Sequence, residues 1–173
     1  GSGGIVRKLQ EAGLHAIKLD ILDYKPVEEH DLLILLNPAI PPGWATVHLI
    51  PGGYILANDY HRTATVMHDS PEKYSLLGVV DLIERDRKGG RSAAAVSRDV
   101  SGLFEPVRDE EELRRLRPDH YAFLEKLFRA TANNTPSFNA NRSFGDVWAD
   151  YRTLTGEGMP SKRVADMYIF QKK

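Results

Sequence analysis

The chain has 173 residues, 42% of them hydrophobic and 27% charged, with a formal net charge of -1 and no cysteine. This is ordinary globular usage, which excludes a disordered or fibrous chain, and the near-neutral charge removes any bulk attraction to nucleic acid or an anionic membrane. Without cysteine there is no disulfide, thiolate nucleophile or cysteine-based zinc site, and no apolar run approaches the roughly 20 residues that span a bilayer.

A single domain over residues 1–173, cytoplasmic and without membrane contact, is therefore expected. Gly1-Ser2-Gly3-Gly4 reads either as an appended leader or as native chain. Ile5, Leu9 and Ala12 then fall at helical spacing opposite Arg7, Lys8 and Glu11, and Gly13 supplies a stop. Leu14 to Leu19 is a short apolar-rich run that closes on Asp20 and reads as a strand.

After a polar stretch containing Pro26, five consecutive aliphatics from Leu32 to Leu36 lead into Asn37-Pro38. An aliphatic run without alternation suits a strand covered on both faces, as in a parallel sheet flanked by helices. Trp44 to Ile50 reads as a short helix or turn, Pro51-Gly52-Gly53 as a break, and Tyr54 to Ala57 as the next strand, ending in Asn58-Asp59-Tyr60-His61. A helix around Ala64 to His68 and a strand from Tyr74 to Ile83 follow.

Arg85 to Ser101 is charged and small and reads as a surface loop. Asp109 suits a helix N-terminus, the apolar spacing continues to Ala132, and Pro118 splits that stretch into two helices. Phe144, Val147, Trp148 and Tyr151 mark a further helix within 143–154, and Ala165 to Phe170 reads as a closing strand.

The segment Asp31-Leu-Leu-Ile-Leu-Leu-Asn37-Pro38, followed closely by Leu49-Ile-Pro-Gly-Gly-Tyr-Ile-Leu56, resembles the later strands of Rossmann-like S-adenosylmethionine-dependent methyltransferases. In that family an Asn-Pro-Pro strand end precedes a Pro-Gly-Gly turn between strands. The match covers residues 5–84 and 165–171, without a clear glycine-rich loop. It implies an α/β fold with a mostly parallel Rossmann-like sheet, an antiparallel last strand, and a mostly helical insertion over residues 85–164 before that strand.

The resemblance also implies S-adenosylmethionine as cofactor, with Asp20 and Ile21 near its adenosine and Asn58 at the cofactor rim. A second alignment makes Gly1 to Gly4 the cofactor loop and Asp20 the acid that ends the second strand. Asn37 matches the start of the family motif that accepts hydrogen bonds from an amino group. Ala39 and Ile40 stand where that motif has its second proline and its aromatic, so the stacking face for a flipped adenine is missing.

Asn37, Asp59 and His61 are the catalytic candidates. A histidine beside a carboxylate at a strand end is able to take a proton from a nucleophilic substrate. The plain alternative for these residues is a solvated, strand-ending turn, and for Tyr60 it is packing beneath the next helix. No metal-ligand spacing such as HExxH occurs, so no metal site is expected.

The basic concentrations, Arg85 to Lys88, Arg91 and Arg114-Arg115-Leu-Arg117, are interrupted by Glu84, Asp86 and Glu110 to Glu112. A nucleic-acid surface is therefore not favoured over a salt-bridged exposed face. The substrate is left open, and a non-catalytic methyltransferase-like binding or scaffold module that contacts a protein partner through residues 85–164 is the alternative function.

Overall fold

The computed structural model describes residues 3–82, 94–132, 149 and 159–173. The expected helix within 143–154 lies outside the described residues. Among the described residues five strands form one open, mixed sheet in the order β1-β2-β5-β3-β4: β1 His30–Leu35, β2 Leu49–Ala57, β3 Tyr74–Leu82, β4 Ala94–Ser97 and β5 Met167–Lys172. β1 and β2 pair in parallel, and β3 and β4 antiparallel. The chain divides into two compact units, Gly1–Ser75 with Ile169–Lys173, and Leu76–Tyr168.

In the first unit, α1 (Gly3–Glu11) ends as the sequence requires. Gly13 has φ 80° and donates to the Gln10 carbonyl at 2.9 Å, while the Leu14 N–H reaches the Leu9 carbonyl at 3.0 Å. A left-handed residue closing a helix in this way favours glycine. The strand expected over Leu14 to Leu19 does not form. Leu14, Ile17 and Leu19 are each more than half exposed, and Asp20 turns the chain locally by accepting the Leu22 N–H at 3.0 Å, which starts a 3-10 turn at Ile21–Asp23.

β1 and β2 begin in register at His30 and Leu49, and the next partners are Leu32 and Tyr54. The extra β2 residues contain Pro51-Gly52-Gly53, so the expected break is instead a bulge inside one strand. Gly52 takes φ 79°, and a Cβ on Gly53 would lie 2.8 Å from the Leu49 side chain. β1 also differs from expectation, because only one face is covered. Leu32 and Ile34, with Leu36 just beyond the strand, point to the other face and are 52%, 57% and 62% exposed.

α2 (Pro42–Thr46) and α3 (Thr63–His68) complete this unit, and Leu49, Ile55, Met67 and Phe170 form its buried core. A polar stitch ties the core together. Thr46 Oγ1 and the Tyr74 hydroxyl are 2.9 Å apart in a buried position, and Lys172 Nζ donates to the carbonyls of Thr46 and Leu49.

In the second unit, β4 falls within the segment expected to be a loop. Ala-Ala-Val-Ser has little intrinsic strand preference, and pairing with β3 (Val79 with Ser97, Leu82 with Ala94) supplies what local propensity does not. α4 (Glu110–Leu116) and α5 (Pro118–Ala132) flank the expected proline break, and Asp109 caps α4 by accepting the Glu112 N–H at 2.8 Å. Val107, Leu113 and Leu124 make the local core, with Tyr121 and Met159 against it. Arg163 joins this unit's strands and loops, reaching Asp81 at 2.9 Å and the Asp99 carbonyl at 2.8 Å. Among the described residues no helix is long and apolar enough to cross a membrane.

Candidate functional site

Because β1 and β2 are parallel neighbours, the residues that follow them emerge at one end of the sheet. In open α/β sheets that carboxyl end is where ligands bind. Asn58 continues the ladder by donating its N–H to the Leu35 carbonyl at 3.3 Å. Its side chain then locks onto Asn37: the Asn37 N–H donates to Asn58 Oδ1 at 3.0 Å, and Asn58 Nδ2 donates to Asn37 Oδ1.

Asn37 takes φ 51°, and Arg62, after β2, takes φ 60°. Asparagine tolerates the left-handed region better than most residues, and such positions cluster where a loop is held for function. Two loops with positive-φ residues thus meet at an amide pair.

Asp59 is committed to structure. Its Oδ1 accepts the Thr65 N–H at 2.8 Å and its Oδ2 accepts the Thr65 hydroxyl at 2.7 Å. Thr65 is the third residue of α3, so Asp59 satisfies a first-turn donor that Arg62, the N-cap residue, leaves without a side-chain bond. The carboxylate therefore faces Thr65 and not His61, and the expected His–Asp pairing does not form. His61 is exposed and stands edge-on to Tyr60 at 4.8 Å between ring centroids. Tyr60 itself is 74% exposed instead of packing beneath α3.

His61 also borders a pocket of about 380 Å³ whose other walls are residues 38–42, Thr63 and Val66. Thr63 is 1% exposed, and its hydroxyl has no hydrogen-bond partner among the described residues. The structure thus gathers Asn37, Asn58, Asp59 and His61 around two neighbouring loops. It leaves Asp20 and Ile21 outside the pocket lining, on the 3-10 turn that lies against α2. Thr63, Thr65, Pro41 and Pro42 escaped the sequence reading, although three prolines in the five residues from Pro38 to Pro42 are a legible sign of a constrained loop.

Two further polar groups are visible only in the fold. Tyr24 gathers two histidines near the amino ends of the parallel strands, its hydroxyl 2.8 Å from His30 Nε2 and its ring edge-on to His48 at 5.3 Å. On α4, Arg114 pairs with Glu110 at 3.0 Å and stacks over Tyr121, while Arg108 pairs with the buried Glu112 at 3.2 Å. The Arg108 N–H and guanidinium hold the Glu112 carboxyl below the usual glutamate range. Arg114 therefore lies on an ion-paired face, as its acidic neighbours in sequence suggest. Among the described residues no three His, Cys, Asp or Glu side chains gather as a metal site.

No family model, curated protein or solved structure matches this chain.

Proposed function

We propose that the chain is an S-adenosylmethionine-dependent methyltransferase-like domain, with the ends of β1 and β2 as its transfer site. The observation that carries this reading is the Asn37–Asn58 amide pair, held across the carboxyl ends of two adjacent parallel strands. Two residues are compatible with adenosine. Asp20 is exposed and, among the described residues, engages only Oδ1 in its turn, so Oδ2 is available to accept from adenosine, and Ile21 beside it offers an apolar edge.

S-adenosylmethionine supplies an electrophilic methyl group on a sulfonium. The chain's part is to position and to desolvate, and positioning alone is able to lower such a barrier by several kcal/mol. The Asn37–Asn58 pair fixes the rim, residues 38–42 line its apolar side, and His61 is the group placed to take a proton from the acceptor. Asp59 serves as a positioning residue that holds the loop bearing His61 against α3.

The test is a calorimetric titration of the chain with S-adenosylmethionine and S-adenosylhomocysteine, with Asp20→Ala and Asn58→Ala in parallel. Saturable one-site binding that both variants weaken is expected. No heat and no thermal shift at millimolar ligand overturns the reading. A second reading, a non-catalytic binding module, is favoured by the open aliphatic face of Leu32, Ile34 and Leu36, which a protein partner would cover.

A further inference from the structure

We infer that the pocket beside Arg117, at the elbow between α4 and α5, binds a small organic monocarboxylate, with the carboxylate on the Arg117 guanidinium and an apolar body against Leu116, Pro118 and Val164. Such binding does not depend on the methyl-transfer reading.

Pro118 sets the elbow by ending α4. The Arg117 N–H still closes the last turn of α4 on the Leu113 carbonyl at 2.8 Å, and its side chain crosses to the 161–163 segment, where Nη1 donates to the Ser161 carbonyl at 3.3 Å. That bond engages one nitrogen. Nε and Nη2 form the guanidinium edge that grips a carboxylate with two parallel bonds. Neither has a hydrogen-bond partner among the described residues, and neither is closed to solvent. Arg117 is nevertheless partly buried, and it pairs with no Asp or Glu among the described residues. Burial draws the guanidinium below its ordinary pKa. A cation that has lost part of its hydration without gaining an acid costs the fold free energy, which a bound anion offsets.

The surrounding charges set the charge of that anion at one. Lys162 and Arg163 also line the pocket, but both are committed: Lys162 to Glu105 at 3.1 Å, and Arg163 to Asp81 at 2.9 Å with Asp99 at 3.8 Å. Asp119 is the one acid in the lining, and it is exposed, so water weakens its repulsion of a ligand without removing it. One uncompensated cation near that acid suits a single negative charge better than a phosphate dianion. His120 borders the same pocket, but its Nε2 is closed to solvent and plays no part in binding. Leu116, Pro118 and Val164 supply apolar walls, and a space of about 330 Å³ accepts a ring-sized body.

The probes are benzoate, benzamide and phenyl phosphate, which share a ring and differ in charge. Each is titrated at pH 7 and constant ionic strength into the isotopically labelled full chain and followed by backbone amide shifts. Saturable shifts localised at Leu116, Asp119, Lys162 and Val164 are expected. Benzoate should be favoured over benzamide by about tenfold or more, the worth of a hydrogen bond to a charged group, and phenyl phosphate should bind no tighter than benzoate.

Arg117→Met keeps the apolar stem and removes the unpaired charge, so it should fold and lose the preference for benzoate. Arg117→Lys keeps the charge without the planar fork and should retain a preference of about threefold. Equal affinity for benzoate and benzamide, no localised shifts at millimolar benzoate, or a preference that survives Arg117→Met overturns the inference. Tighter binding of phenyl phosphate overturns the single-charge assignment. Should Arg117→Met not fold, an undiminished preference in Arg117→Lys overturns the role of the guanidinium fork.

Discussion

Replacing Asp59 with alanine removes two acceptors from the start of α3. The Thr65 N–H at 2.8 Å and the Thr65 hydroxyl at 2.7 Å both lose their partner in a half-buried setting. Loss of a helix-capping acceptor costs about 0.5–2 kcal/mol, and a hydrogen bond to an ionised group contributes about 1.5–3 kcal/mol. Water still reaches Thr65, so a total near 2 kcal/mol is expected, which lowers Tm by about 4–8 °C in a chain of this size.

Asp59→Asn retains an acceptor for the N–H and should lose about half as much. Urea unfolding at pH 7 of the wild type, Asp59→Ala, Thr65→Val and the double variant gives the coupling directly, with about 1 kcal/mol or more expected between the two positions. Strictly additive losses, or an Asp59→Ala variant within about 0.5 kcal/mol of wild type, would refute the positioning role. An Asp59→Asn variant with full stability and no function would instead return Asp59 to the chemistry.

Gly78→Ala should cost about 2 kcal/mol or more and detach β4, because its Cβ would lie 2.5 Å from the Ser97 carbonyl oxygen, a backbone atom that cannot swing aside; hydrogen exchange at residues 94–97 reads the loss. The chain should also lose stability in acid. Hydrogen bonds from Arg108 to Glu112, from Lys162 to Glu105 and from Ser101 to Asp99 hold these carboxyls below their ordinary range in the folded state. Their stabilisation is complete above the unfolded pKa values, near 4, and is lost as pH falls through the lower folded values. Glu112→Gln should flatten the decline in urea midpoint below about pH 4, and an unchanged slope would exclude Glu112 as a contributor.

Local chemistry was readable along the chain. The Gly13 stop, the Asp109 cap, the Pro118 break and the spans of β1, β3, α3 and β5 each follow from a side chain acting within a turn of itself or from one stretch of apolar residues. Asn37 and Asn58 were legible as strand ends because parallel neighbours deliver their carboxyl ends to one side. The bond between them joins residues 21 apart, so its geometry required the register of β1 against β2.

What remained was set by partners distant in sequence. Leu14 to Leu19 has the composition of a strand but forms no ladder, and Ala94 to Ser97 lacks that composition yet pairs with β3. The aliphatic run of β1 cannot reveal that one of its faces stays open, since burial depends on which elements lie over it. Asp59 turning to Thr65 instead of His61, and the buried Thr63 hydroxyl left without a partner among the described residues, are likewise outcomes of packing. Sequence by itself determined the elements whose energetics are local; only the tertiary structure decided which faces are covered and which polar groups find each other, because those contacts form between segments that the chain order does not place side by side.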